Sequence, residues 1–366
     1  MKKYDIGILT FWDVPNYGTF AQAYALQKTI QNICSEKDVR QIAHLEDKHF
    51  NFYFNQKAYL RSYPVWKKAF WRSFGIKDKN LEGKKTMFFD AYNNIPHTER
   101  IDKNNARSFK FDKIFLGSDI VWDFSIEPFN HDPFLFGDGF NADEINSYAT
   151  SFGTVKKSME MPEYVNRSIK SMKHILVRDE NSAEIVESIT GRRPEVVLDP
   201  VWLWDFQNDN DIPEPKDKNY ILVYGQDFTD GFIKNLIDYA KKNDKKIIAL
   251  DCNEDSYIWC DKLVKQEDLD PLAWIGYFKF ADEVATSTFH GVTFSLLFNK
   301  KMAFCETDFI LAKLDKFLDE LQILDLFSDR DNVEKMLNFD WDYTFINGVI
   351  NKKRERSLEL LIEACK

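Results

Sequence analysis

Cysteine is scarce in this chain. Its 366 residues hold five, Cys34, Cys252, Cys260, Cys305 and Cys365. They form no C-x-x-C pair and no Cys/His cluster with metal spacing, which argues against both a zinc site and a disulfide framework. No metal is expected. Long apolar runs are also missing. No uninterrupted stretch reaches ~18 residues, so no membrane-spanning helix is expected. The apolar part of the opening M-K-K-Y-D-I-G-I-L-T is too short for a signal peptide, and the reading is a cytoplasmic protein. An excess of positive charge is absent too. Lys and Arg number 49 against 59 Asp and Glu, a net charge of −10, which argues against nucleic acid as a main partner and leaves room only for a local basic pocket. There is no fixed-period repeat and no low-complexity tract.

Aromatic residues, by contrast, are plentiful: 15% of the chain, with 32 Phe and 9 Trp. They exclude disorder and supply either large cores or stacking surfaces for a ring-shaped ligand. The length accommodates two domains of roughly 100–200 residues each.

The chain reads as alternating strands and helices. Tyr4 to Thr10 is a buried-type strand. The loop F-W-D-V-P-N-Y-G follows, and Ala23, Leu26, Ile30 and Ile33 recur at helical spacing. Short strands then end in polar loops at Gly117–Asp123, Thr150–Gly153 and Arg178–Glu180, the repeated grammar of a doubly wound sheet. Residues 50–95 are rich in Phe, Tyr, Trp and Lys and read as a helical insertion. Its basic and aromatic mixture allows at most peripheral membrane contact. The polar, proline-bearing stretch Asn208–Asp217 is the candidate linker. The expected division is therefore residues 1–207, residues 218–330, and a helical tail over 331–366 that could pack back on the first domain.

One stretch stands out, V-A-T-S-T-F-H-G-V-T-F-S-L-L-F-N-K-K-M-A-F from Val284 to Phe304. A short strand feeds a hydroxyl-rich turn that opens a helix. Unpaired N–H groups and the positive helix end suit an anion there. Ser287, Thr288 and Gly291 frame His290, which can give or take a proton near neutral pH. Equally, the turn could be plain architecture with His290 capping the backbone. Arg178 offers a bidentate fork for a carboxylate or phosphate, or is an ion-pair partner of Asp179, Glu180 or Asp199. Ser118 and Asp119 read as ligands or as helix caps. Asn16, Tyr17 and Gly18 read as first-loop architecture that also faces a site at the carboxyl ends of the strands.

Several runs together resemble the polysaccharide pyruvyl transferase family. They are Ile6 to Leu26, F-L-G-S-D-I-V-W (Phe115 to Trp122), S-Y-A-T-S-F-G (Ser147 to Gly153), V-R-D-E-N-S (Val177 to Ser182), V-L-D-P-V-W-L (Val197 to Leu203) and T-S-T-F-H-G-V-T-F-S-L-L-F-N-K (Thr286 to Lys300). The resemblance implies an α/β fold of two Rossmann-like domains facing a cleft, similar to GT-B glycosyltransferases. It implies transfer of a pyruvate ketal from phosphoenolpyruvate to hydroxyls of a glycan or lipid-linked sugar acceptor, with no cofactor beyond that donor substrate. It also implies that His290 is the general acid and Arg178 a ligand of the donor's carboxylate or phosphate. Three positions depart from the pattern: Trp12 where the first loop often carries histidine, Ile120 where glutamine is common, and Thr288 in place of serine.

Two other functions fit the same residues. One is a GT-B glycosyltransferase using a nucleotide sugar, which would need a ribose partner; no acidic residue is placed unambiguously for it. The other is a non-catalytic sugar- or phosphate-binding member of the family, which the Trp12 and Ile120 departures allow.

Overall fold

A computed structural model describes residues 1–44, 48–49, 79–129, 131–251 and 257–366. The aromatic and basic stretch singled out between Lys57 and Arg72, and Cys252, lie outside these residues. The chain divides into two compact units. The first takes the described residues of Met1–Asp78, with Phe88–Trp204 and Lys353–Lys366; the second takes Lys79–Met87 and Asp205–Lys352.

The first unit is built on a seven-stranded parallel sheet. In chain order its strands are β1 (Lys2–Leu9), β2 (Val39–Ala43), β3 (His97–Arg100), β4 (Phe109–Leu116), β5 (Ala142–Thr150), β6 (Ile175–Val177) and β7 (Glu195–Val196). In space they run β3-β2-β1-β4-β5-β6-β7. β1 pairs in parallel with both β2 and β4. Ile6 and Ile8 of β1 and Phe115 of β4 share a buried cluster with Leu26 and Ile30 of helix Tyr17–Ile33. Each such buried aliphatic side chain contributes roughly 1.5–3 kcal/mol relative to exposure.

The end of the last helix, Tyr343–Cys365, belongs to this unit's core. Leu361 and Ala364 lie in the same cluster. The Leu198 N–H donates to Ser357 Oγ at 3.1 Å, and Lys113 Nζ donates to the Ala364 carbonyl at 3.2 Å. A segment distant in sequence thus closes one face of the first sheet.

The second unit carries a five-stranded parallel sheet of β8 (Tyr220–Tyr224), β9 (Lys246–Leu250), β10 (Lys262–Val264), β11 (Glu283–Thr286) and β12 (Lys301–Phe304). Their spatial order is β10-β9-β8-β11-β12. Ile221, Leu222, Val223, Val284 and Ala285 are wholly buried, as expected of parallel strands covered on both faces. Trp274 and Phe278 of helix Pro271–Phe280 pack against Phe294 of helix Phe289–Leu297, with Trp274–Phe294 ring centroids 5.2 Å apart.

Each sheet therefore reverses strand order once, between β1 and β4 in the first and between β8 and β11 in the second. Such switch points leave a crevice outside the carboxyl ends of the strands, where open α/β sheets bind ligands. Among the described residues no helix is long and apolar enough to cross a membrane.

Candidate functional site

Apart from Arg178, which follows β6, the residues singled out from the sequence fall at these two switch points. In the first unit, the loops after β1 and β4 flank the reversal. Asn16 caps helix Tyr17–Ile33, its Oδ1 accepting from the Thr19 N–H at 3.1 Å. It is exposed, whereas Tyr17 is 1% exposed with its ring 4.8 Å from Phe88, and Gly18 is buried. Tyr17 and Gly18 thus serve the helix and core.

Ser118 is buried, and its Oγ has no hydrogen-bond partner among the described residues. Its carbonyl accepts from Thr10 Oγ1 at 3.0 Å. Asp119 follows in a left-handed conformation with φ of 76°, which an L-residue adopts only at some cost. Its Oδ2 accepts from Thr19 Oγ1 at 3.3 Å, and its Oδ1 faces Arg178 Nη2 at 3.6 Å. The other arm of Arg178 donates from Nη1 to Asp199 Oδ2 at 3.1 Å. Burial disfavours the Arg178 charge, but Asp119, Asp199 and Asp179 outweigh it and raise its pKa above the ordinary arginine value. The structure thus joins loops from β1, β4, β6 and β7 into one cluster in which a single guanidinium meets two close carboxylates.

Three further groups of this unit were not singled out from the sequence. Burial pushes the Asp13 carboxyl up to about 7, against the opposing pull of its own backbone, His44 and Arg100. His44 Nδ1 lies 2.8 Å from the Ile101 carbonyl and Nε2 lies 2.6 Å from Asp132 Oδ2, both side chains being buried. A carbonyl only accepts, so Nδ1 bears a proton, and the short contact at Nε2 needs a second one. Nothing local announces the pair, whose members are 88 residues apart. His49 is buried as well; burial above all, then His44, pulls its pKa down to about 3.

The Trp12 and Ile120 departures are structural. The Trp12 indole is 3% exposed, donates from Nε1 to the Ile42 carbonyl at 3.0 Å, and packs against His97 and Tyr92. Ile120 packs against the first unit's core.

In the second unit, the loop after β11 is the predicted hydroxyl-rich turn. Thr286 Oγ1 donates to the Tyr224 carbonyl at 2.6 Å and accepts from the Thr288 N–H at 3.2 Å. Ser287 Oγ donates to the Gln226 carbonyl at 2.6 Å and accepts from the Gln226 N–H at 2.9 Å. Thr288 caps helix Phe289–Leu297, with Oγ1 accepting from the Gly291 N–H at 3.0 Å. A Cβ on Gly291 would fall 1.9 Å from Thr286 Oγ1, so only glycine fits. Ser287, Thr288 and Gly291 therefore build the turn. What they present is the Phe289 N–H, which has no hydrogen bond among the described residues, and the half-buried His290 ring beside it. His290 stands edge-on to Phe289 with centroids 5.2 Å apart. The arrangement can meet an anion with the helix end and an imidazole, and can move a proton.

Among the described residues no cluster of three or more His, Cys, Asp or Glu could hold a metal ion.

The sequence matches the family model described as polysaccharide pyruvyl transferase over residues 16–308. No curated protein matches it. Among solved structures, the UDP-GlcNAc 2-epimerase from Methanocaldococcus jannaschii is similar over 99% of both chains, at 12% identity and a TM-score of 0.50. The glycosyltransferase SnogD from Streptomyces nogalater is similar over 98% of this chain and 96% of its own, at 10% identity and a TM-score of 0.44. At 12% identity the likeness to the epimerase is one of fold alone, an α/β fold of parallel sheets.

Proposed function

Since this chain belongs to the polysaccharide pyruvyl transferase family, we propose that it moves a pyruvate group, as a ketal, from phosphoenolpyruvate to two hydroxyls of a sugar in a cell-surface polysaccharide or its lipid-linked precursor. The observation that carries this reading is the turn at the β8/β11 switch point, where a helix start, the Phe289 N–H and the His290 ring lie together.

The donor is a small anion with a phosphate, a carboxylate and an electron-rich double bond. The helix end and the Phe289 N–H suit one of its anionic groups. Protonated His290 delivers its proton to the CH₂ carbon, leaving an oxocarbenium-like centre at the neighbouring carbon. A sugar hydroxyl attacks that carbon, the bond to the phosphate oxygen breaks, and a second hydroxyl closes the ring. Of the two hydroxyl protons, one restores His290 and the other leaves with phosphate, so no oxidant, reductant or metal is needed for balance.

The first unit contributes differently. One cation facing Asp119 and Asp199 gives a cluster poor in net positive charge. That balance supports a role for Arg178 in fixing Asp119 more than a role as a bare anion ligand.

Thermal melting tests the donor. Phosphoenolpyruvate should raise the melting temperature, as any ligand specific to the folded state does, while UDP- and GDP-sugars leave it in place. The reverse pattern would favour a nucleotide-sugar glycosyltransferase.

A further inference from the structure

The second unit presents two chemically different surfaces at the carboxyl end of its sheet. One is the polar turn of Thr286 to Gly291. The other is aromatic, and comes from the loops after β8 and β9. Phe228 lies stacked on buried Phe232, with centroids 5.2 Å apart and planes at 21°. Tyr257 and Trp259 meet Phe228 nearly perpendicular, at 6.4 and 6.5 Å, and lie 5.8 Å from each other at 31°. Tyr257 is buried, while Phe228 and Trp259 are half-buried and Ile258 between them is 83% exposed. The turn from Tyr257 to Cys260, closed by the Cys260 N–H on the Tyr257 carbonyl at 3.0 Å, thus keeps Trp259 at the surface on a fixed base.

This aromatic wall is tied to the His290 turn through one glycine. The Tyr257 hydroxyl donates to the Gly225 carbonyl. Gly225 has φ of 149°, and a Cβ there would fall 2.3 Å from Ser287 Oγ. The next residue, Gln226, exchanges two hydrogen bonds with Ser287. Tyr257 and the turn are therefore held in one register by side-chain hydrogen bonds to the backbone of Gly225 and Gln226.

The chemistry of the wall does not suit the donor. Phosphoenolpyruvate has no apolar ring face and calls for N–H donors or cations. The ammonium at the end of β9, Lys84, already faces both oxygens of Asp251 at 2.8 Å. A pyranose ring is the better match, because its axial C–H face is apolar and stacks on an aromatic ring while its rim of hydroxyls stays in water or reaches polar groups.

Resting on the pyruvyl transferase reading, we propose that Phe228, Tyr257 and Trp259 form the acceptor platform, on which a pyranose ring of the glycan stacks with Trp259 as the principal contact.

Saturation-transfer NMR on the full chain tests this, with methyl β-galactopyranoside, methyl β-glucopyranoside and UDP as separate probes. The expected result is saturation of the ring C–H protons of at least one pyranoside, lost in Trp259→Ala and retained in Trp259→Phe. Affinity for that pyranoside should fall roughly five- to tenfold in Trp259→Ala, while the melting shift given by phosphoenolpyruvate stays. Three results would overturn the platform: no pyranoside saturating, pyranoside saturation undiminished in Trp259→Ala, or saturation of the uracil protons that depends on Trp259. If pyranoside saturation depends on Trp259 but no pyruvylated product ever forms, the platform stands and the reaction proposed above falls.

Discussion

Arg178 bridges two carboxylates that come from different strand-end loops: its Nη1 is 3.1 Å from Asp199 Oδ2 and its Nη2 is 3.6 Å from Asp119 Oδ1. Asp199 in turn accepts from the Val201 N–H at 3.1 Å, so the guanidinium is fixed to the backbone on one side and fixes Asp119 on the other. Removing it leaves Asp199, with a side chain 2% exposed, facing Asp119 without a counter-charge. Arg178→Ala should therefore cost roughly 3 kcal/mol of stability, the range for breaking a buried pair. Urea unfolding measures it. The double variant Arg178→Ala with Asp199→Asn should recover part of the loss; a bare ligand role would leave stability unchanged and reduce only donor binding.

His290 is predicted to act on the reaction and not on the fold. His290→Ala should reduce turnover by roughly 10²–10⁴-fold, the usual contribution of a positioned acid, with the melting temperature unchanged. Steady-state phosphate release measures the first, and a thermal melt the second. Turnover close to that of the unaltered chain would remove His290 from the acid role.

Gly291 is predicted to be intolerant of the smallest side chain. Gly291→Ala brings its Cβ onto Thr286 Oγ1 and disturbs the 2.6 Å hydrogen bond from that hydroxyl to the Tyr224 carbonyl. The expected cost is roughly 1–3 kcal/mol, as for other overpacked sites. The double variant Gly291→Ala with Thr286→Ala removes the closest clash but leaves Thr286 Cβ and Thr288 Oγ1 each 2.7 Å from the added Cβ, so it should recover only part of that loss, measured by chemical denaturation.

Asp13 gives a pH dependence of definite sign. Its carboxyl is raised to about 7 in the folded state by burial, against about 3.9 in an unfolded chain. The folded protein thus holds a proton that the unfolded chain has lost. Stability from this group is full below about pH 4, declines as pH rises toward 7, and is gone above it. His49, pulled down to about 3, acts in the opposite sense, so the unaltered chain reports a sum. The difference between it and Asp13→Asn, followed by denaturation from pH 4 to 8, isolates Asp13: the advantage of the unaltered chain should shrink as pH rises. A pH-independent difference would show that Asp13 does not keep its proton.

Much of the fold was legible because parallel strands buried on both faces read as short apolar runs. Tyr220–Tyr224 and Val284–Thr286 declare themselves in that way, and their polar exits mark the loops that matter. The edge strands β3 and β10 carry no such signal. β3 is H-T-E-R, with only Thr98 buried, and its place is set by pairing with β2. The site residues were legible as types and not as contacts. Nothing in the linear chain shows that the Ser287 hydroxyl is spent on Gln226 or that Trp12 is buried against His97. Asp13 and the His44–Asp132 pair escaped because their chemistry arises from burial and from partners far away in sequence. The switch points are likewise a property of strand order, and they explain why the loops after β1 and β4 matter in the first unit and those after β8 and β11 in the second.

The most direct test is a mass measurement. The purified chain is incubated with phosphoenolpyruvate and a panel of nitrophenyl and lipid-linked sugars, and the sugars are weighed by mass spectrometry. One acceptor should gain the mass of a single pyruvate ketal with release of inorganic phosphate, and His290→Ala should abolish the gain. A sugar transferred from a UDP- or GDP-sugar, with no gain from phosphoenolpyruvate on any acceptor, would contradict the proposed pyruvate transfer.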